Sequence, residues 1–114
     1  MPNVSIIMGV YNCKNYNLLR KSIDSVLQQT YRDFEFIICN DGSTNGTLDE
    51  LKKIAQSDSR IKIISYEKNR GLNHALNECL AVSQGKYIAR QDDDDVSKPE
   101  RLKKQVQFLD ENRE

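Results

Sequence analysis

Apolar positions along the chain switch between short unbroken runs and helically spaced stripes. Val4-Ser5-Ile6-Ile7-Met8-Gly9-Val10 is a β-branched run suited to a strand covered on both faces. Over residues 15–29, Leu19, Ile23, Val26 and Leu27 recur on one helical face, with Arg20, Lys21, Asp24 and Gln28 on the other. Residues 34–39 predict a second strand, closed by the turn-forming cluster Asn40-Asp41-Gly42-Ser43-Thr44-Asn45-Gly46. Thr47-Leu48-Asp49-Glu50 has the form of a capping box, and Leu48, Leu51, Ile54 and Ala55 continue a stripe behind it. Ile61–Tyr66 predicts a third strand and residues 72–84 a third helix, with Gly85 where a left-handed C-cap belongs. A fourth strand follows over residues 86–91. Ser97-Lys98-Pro99-Glu100 then offers a cap and a first-turn proline to a last helix, marked by Leu102, Val106 and Leu109 and running to the chain end.

Strands separated by helices predict an α/β fold: a mainly parallel, Rossmann-like sheet with helices on both faces. In such sheets ligands sit beyond the carboxyl ends of the strands. The places to search are therefore Tyr11-Asn12, Asn40-Asp41-Gly42-Ser43, the loop 67–71, and Asp92-Asp93-Asp94-Asp95.

Composition narrows the classes. A length of 114 residues fits one domain. Seventeen basic against seventeen acidic residues leave no net field to attract nucleic acid or anionic lipid. With 38% hydrophobic and 30% charged residues, disorder and a membrane span are both disfavoured, and the run Phe36-Ile37-Ile38-Cys39 falls far short of a span. Met1-Pro2-Asn3 lacks the basic-then-apolar form of a signal peptide. Cys13, Cys39 and Cys79 are an odd count without CxxC spacing, which reads as reduced, buried thiols in a cytosolic setting.

The acidic run is the most informative chemistry. Two unit charges about 4 Å apart repel by roughly 4 kcal/mol at an effective dielectric near 20, so something should neutralise them. In an extended segment Asp92 and Asp94 would share a face, and an oxygen-only site of that kind suits Mg²⁺ or Mn²⁺. The plainer reading is a solvated loop favouring the dipole of the following helix. An EF-hand is disfavoured, since Ser97 and Lys103 stand where its Gly and Glu would be.

Asp41 could accept an N–H from a base edge, or merely shape its turn. Tyr11 could stack on a nucleobase or close the core edge. Arg70 could pair with phosphate or coat the surface, and His74 reads as a helix-surface residue. No GxGxxG follows strand one, and no P-loop or GxSxG is present. A receiver-type domain is disfavoured because the acids follow strand four rather than strand one.

Jointly, Val4-Ser5-Ile6-Ile7-Met8, Tyr11-Asn12, Ser25-Val26-Leu27-Gln28-Gln29-Thr30-Tyr31, Asn40 to Thr47, Asn69-Arg70-Gly71-Leu72-Asn73 and Gly85-Lys86-Tyr87-Ile88-Ala89 followed by the four aspartates resemble family-2 glycosyltransferases over essentially the whole chain. The resemblance implies the nucleotide-sugar-binding half of a GT-A fold, residues 1–114 forming a single domain of a truncated catalytic unit. It implies that Tyr11 and Asn12 lie beside the base, that Asp41, Gly42 and Ser43 hold the nucleoside, and that Arg70 approaches a phosphate. Asp92 would approach the ribose or metal and Asp94 would coordinate a Mn²⁺ or Mg²⁺ ion, with Asp93, counted among the nucleotide-binding residues, and Asp95 as second choices because the quartet permits more than one register. Asn40 stands where the family usually has Asp, and Leu76 where many members have Arg. The implied activity is inverting, metal-dependent sugar transfer from a nucleoside-diphosphate donor, UDP-sugar favoured, to a carbohydrate or lipid-linked hydroxyl. The general base would lie beyond residue 114, and the location would be cytoplasmic or at the inner membrane face. The alternative is a non-catalytic nucleotide-sugar-binding or regulatory module.

Overall fold

The computed structural model describes residues 2–112. The elements alternate along the chain as β1 (Val4–Val10), α1 (Tyr16–Leu27), β2 (Phe34–Asp41), α2 (Thr47–Ala55), β3 (Ile61–Tyr66), α3 (Leu72–Val82), β4 (Tyr87–Arg90) and α4 (Arg101–Glu111). The strands form one sheet in the order β3-β2-β1-β4, every neighbour pair parallel. This is the expected α/β architecture.

Period-two alternation divides the strand residues between two cores. Val4, Ile6, Met8 and Val10 join Phe34, Phe36 and Ile38 under Leu19, Ile23 and Val26 of α1, Leu51 and Ile54 of α2, and Leu102 and Val106 of α4. Ile7, Ile37 and Cys39 face the other way, against Ala75, Leu76 and Cys79 of α3. Gly9 also lies on the α3 side, where a Cβ would stand 2.7 Å from Leu72 Cδ1. Hence β1 and β2 lead into helices on one face while β3 leads into a helix on the other. At the carboxyl ends of the strands the loop after β3 packs over the end of β2, leaving a crevice on the side towards β1.

Several local signals resolve differently from their sequence reading. Thr47 does not cap α2: its Oγ1 accepts the Cys13 N–H at 3.0 Å, Gly46 is the N-cap, and Glu50 pairs with Arg20. Gly85 is no C-cap, since α3 ends at Val82. It is small because it passes β1 so closely that a Cβ would lie 2.5 Å from the Ser5 nitrogen. Helix α4 starts at Arg101, later than Ser97-Pro99 suggests, because Ser97 Oγ donates to Gln91 Oε1 at 2.7 Å and the Pro99 carbonyl accepts from the Thr30 N–H at 2.9 Å. At its other end α4 stops at Glu111 with Asn112 as cap.

Far from the carboxyl ends, buried Glu35 accepts from Ser5 Oγ at 2.5 Å, Lys62 Nζ at 2.7 Å and the Gln84 N–H at 2.7 Å. Burial alone would raise its carboxyl. The Lys62, Ser5 and Gln84 bonds outweigh that and hold it below the usual glutamate range, so it stays charged and ties the α3–β4 turn to the sheet.

Candidate functional site

Asp41 ends β2 in the crevice and is 2% exposed. A buried carboxylate needs donors, and the β3–α3 loop provides them. Oδ1 accepts from the Tyr66 hydroxyl at 2.7 Å and the Arg70 N–H at 2.9 Å, while Oδ2 accepts from Asn69 Nδ2 at 2.9 Å and the Gly71 N–H at 3.0 Å. Burial first, then contact with Asp41 and Cys39, pushes the Tyr66 phenol up, so it remains a donor. Two glycines make this clasp possible. Gly42 has φ +70°, and a Cβ there would meet the Asn69 backbone nitrogen at 2.3 Å; Gly71, at φ +97°, turns its N–H onto the carboxylate. Both Asp41 oxygens are thus engaged within the chain, unlike the sequence picture in which one faces a base directly.

Beside the clasp lies a hollow of about 220 Å³ lined by Gly9, Val10, Tyr11, Asp41, Asn69, Gly71, Leu72 and Ala75. Tyr11 and Leu72, 48% and 46% exposed, offer it two uncovered apolar walls. Tyr11 also borders a second hollow of about 300 Å³, shared with Asn12, Cys13, Lys14, Asn15, Leu18, Asp93 and Asp94. One aromatic side chain therefore separates a mostly apolar slot from an acidic one.

Asn12 stands at φ 45°, a conformation its short amide tolerates. Its Oδ1 accepts from the Thr44 N–H at 2.8 Å and its own N–H donates to Ser43 Oγ at 2.9 Å. Ser43 and Gly42 accordingly brace the loops and are not among the residues lining these two hollows, whereas Asn12 both braces a loop and lines one. The Arg70 side chain is exposed, and its contribution to the clasp is its backbone N–H. His74 is on the α3 surface, near Glu78 at 3.3 Å and edge-on to Tyr66. Cys39 and Cys79 are buried free thiols as expected, but Cys13 is only half-buried, because it sits in the loop after β1 and not within a strand.

The acidic run is not extended. The Asp95 N–H reaches back to the Asp92 carbonyl at 3.2 Å, closing a turn, so Asp92 and Asp94 do not share a face by alternation. Asp93 and Asp94 line the acidic hollow, while Asp92 Oδ1 lies 3.1 Å from Arg90 Nε. Among the described residues, that contact is the one ion pair the four aspartates make. Burial, then the charges of Asp94, Asp92 and Asp95, push the Asp93 carboxyl above the usual aspartate range. No group of three or more metal-ligating side chains gathers among the described residues; Asp93 and Asp94 are the hard oxygen donors lining the acidic hollow, which Lys14 also lines, and would be the residues to hold a divalent cation.

A raised carboxyl means that the folded chain holds its proton more tightly than the unfolded chain. Its contribution to stability then falls as pH rises from the ordinary aspartate range through the raised one. Removing the charge with Asp93→Asn is expected to raise the melting temperature at neutral pH in chelator by about 2–4 °C, after allowance for solvent screening, with no gain near pH 3. Melting curves across pH check this; an unchanged temperature at neutral pH would refute it.

Sequence reasoning missed Tyr66, Asn69 and Leu72. Asn69 and Leu72 flank Arg70-Gly71 in a block already singled out, but only the fold shows that they face Asp41 and Tyr11.

The same sheet and helices occur in solved GT-A glycosyltransferases. The mannosyltransferase PcManGT of Pyrobaculum calidifontis, solved with GDP-Man and Mn²⁺, superposes with a TM-score of 0.85 at 24% identity, covering 95% of this chain and 32% of that one. S. aureus TarS 1–349 with UDP-GlcNAc gives 0.85 at 27% identity, covering 96% and 31%. The sequence profile of glycosyl transferase family 2 matches residues 5–114, and the chain belongs to that family. EpsE of Bacillus subtilis (strain 168) is 50% identical over 113 residues, 98% of this chain and 40% of its own. The chondroitin synthase of Pasteurella multocida (strain Pm70) is 40% identical over 100 residues, 88% of this chain and 10% of that one. This chain thus spans under half the length of these relatives. No helix among the described residues is long and apolar enough to cross a membrane.

Proposed function

We propose that this chain is the donor-binding part of an inverting, metal-dependent glycosyltransferase that takes a nucleoside-diphosphate sugar, UDP-sugar favoured, to a carbohydrate or lipid-linked hydroxyl. The observation that carries the reading is the pair of hollows meeting at Tyr11, one with Asp41 and the other with Asp93 and Asp94. A planar base fits between Tyr11 and Leu72, and the diphosphate extends past Tyr11 towards the acidic turn. Tyr11 and Leu72 shield the base from water. The Asp41 clasp holds the slot open, and a base N–H reaches the carboxylate when Asn69 or Tyr66 yields its bond. Asp94, with Asp93 beside it, is the metal-facing group in this register, while Asp92 becomes available only by leaving Arg90.

Bound Mn²⁺ or Mg²⁺ would offset the charge that grows on the departing diphosphate. The acceptor hydroxyl attacks the anomeric carbon from the side opposite that diphosphate, helped by a general base expected beyond residue 114. A cytoplasmic location follows from the use of such donors and forms part of the same proposal. The mannosyltransferase and TarS complexes support the donor class through their bound GDP-Man and UDP-GlcNAc.

Melting the chain with UDP, GDP, dTDP and CDP, each with Mn²⁺ or chelator, tests the reading. UDP with Mn²⁺ is expected to give the largest rise, about 2.7 kcal/mol of stabilisation at a hundred times its Kd. No metal-dependent rise with any of the four would overturn it.

A further inference from the structure

The geometry points to Gln91 as the positioning residue of the acidic turn: its side-chain amide holds the Asp92–Asp95 backbone from behind, so that Asp93 and Asp94 face the hollow. Gln91 follows β4 and is 2% exposed, and all four hydrogen-bonding positions of its amide are used. Nε2 donates to the Asp95 carbonyl at 2.7 Å and to Ser22 Oγ at 3.2 Å. Oε1 accepts from Ser97 Oγ at 2.7 Å and Arg101 Nη1 at 2.6 Å. Because a guanidinium can only donate, the Arg101 contact places the oxygen on that side and leaves the NH₂ for the turn.

Ser22, fully buried on α1, completes the grip by donating to the Asp92 carbonyl at 2.9 Å. The carbonyls of the first and last aspartates are thereby anchored to one Gln–Ser pair, and the Asp95 N–H closes the turn between them. The two middle side chains are left to project into the cavity with Tyr11 and Asn12. Four adjacent carboxylates repel one another and would spread if the backbone were free, so a saturated, buried polar anchor is what keeps two of them together. A second buried amide, Gln29, just after the C-cap of α1, has a different target. It donates to the Ser25 and Lys98 carbonyls and accepts the Leu102 N–H, fastening the loop beyond the turn without touching residues 92–95.

This inference rests on the donor-site reading for its metal consequence, but the hold on the turn can be measured without any ligand. Gln91→Glu keeps the acceptor for Arg101 and Ser97 while setting an oxygen against the Asp95 carbonyl. Ser22→Ala removes only the bond to Asp92 and to the amide. In each variant the Asp95 amide proton is expected to exchange about tenfold or more faster than in the parent. Gln29→Met, equally buried, is expected to leave that rate unchanged. With UDP present, the Mn²⁺ concentration for half-maximal binding, read by calorimetry, is expected to rise about tenfold in Gln91→Glu and Ser22→Ala and to stay put in Gln29→Met. The added charge in Gln91→Glu would by itself draw the cation closer, so weaker binding there reports a displaced turn.

Unchanged Asp95 exchange in both variants overturns the inference, as does faster exchange with an unchanged Mn²⁺ requirement. If Gln91→Glu fails to fold, Ser22→Ala decides on the same two readouts. Should the parent itself show no Mn²⁺-dependent UDP binding while Asp95 exchange responds as stated, the donor-site reading fails and the hold on the turn stands.

Discussion

Asp41→Ala is expected to lower the melting temperature by about 10–20 °C and to abolish nucleotide binding. The side chain is buried and accepts four hydrogen bonds, from Tyr66, Asn69 and the Arg70 and Gly71 N–H groups. Bonds to a charged acceptor contribute about 1.5–3 kcal/mol each, and buried donors left without one cost more than the bond itself was worth. Rehydration of the freed loop offsets part of that, leaving about 3 kcal/mol, which for a domain of this size means a fall of this extent. Asp41→Asn should be nearly as damaging, since its NH₂ would face N–H donors. Thermal unfolding and a UDP titration check both variants; an Asn variant that melts and binds like the parent would show that the carboxylate is dispensable.

Asp94→Ala carries the second large effect, and it falls on binding and not on folding. Asp94 is exposed, lines the acidic hollow and makes no ion pair among the described residues, so truncation should cost the metal-free chain no stability and, by relieving repulsion on Asp93, raise it slightly. With Mn²⁺ and UDP, most of the stabilisation should vanish, corresponding to at least about a hundredfold in affinity, or ~2.7 kcal/mol. Asp92→Ala serves as the register control. Because Asp92 faces Arg90, its truncation is expected to cost less than that of Asp94. The reverse order would place the ion on Asp92 and discard the register proposed above.

The strand and helix order was legible because burial on both faces leaves unbroken apolar runs, and helices over a sheet leave stripes. Val4–Val10 and Ile61–Tyr66 match their sequence reading at both ends. β2 extends to Asp41 because its last residues pair with Ser65 and Tyr66, partners that no local pattern reveals. The cap signals failed for a related reason. Thr47, Gly85 and Ser97 each carry a type of residue that local chemistry would use, yet each is claimed by a distant segment: Cys13, Ser5 and, through the Ser97 N–H, Ser25.

By itself the sequence determined the element order, the parallel α/β class and the family, since all of these follow from period, turn chemistry and motif order along the chain. Only the tertiary structure decided that Asp41 is clasped by Tyr66 and Asn69, that Tyr11 stands between two hollows, and that the acidic run turns so that Asp93 and Asp94 face the cavity while Asp92 faces Arg90. The Asp92–Arg90 contact and the Asp92–Asp95 turn are local, but the rest depend on hydrogen bonds between residues about 25 to 70 positions apart, such as Ser22 with Asp92. Their partners are fixed when the sheet brings its carboxyl ends side by side, and local sequence carries no signal of that meeting.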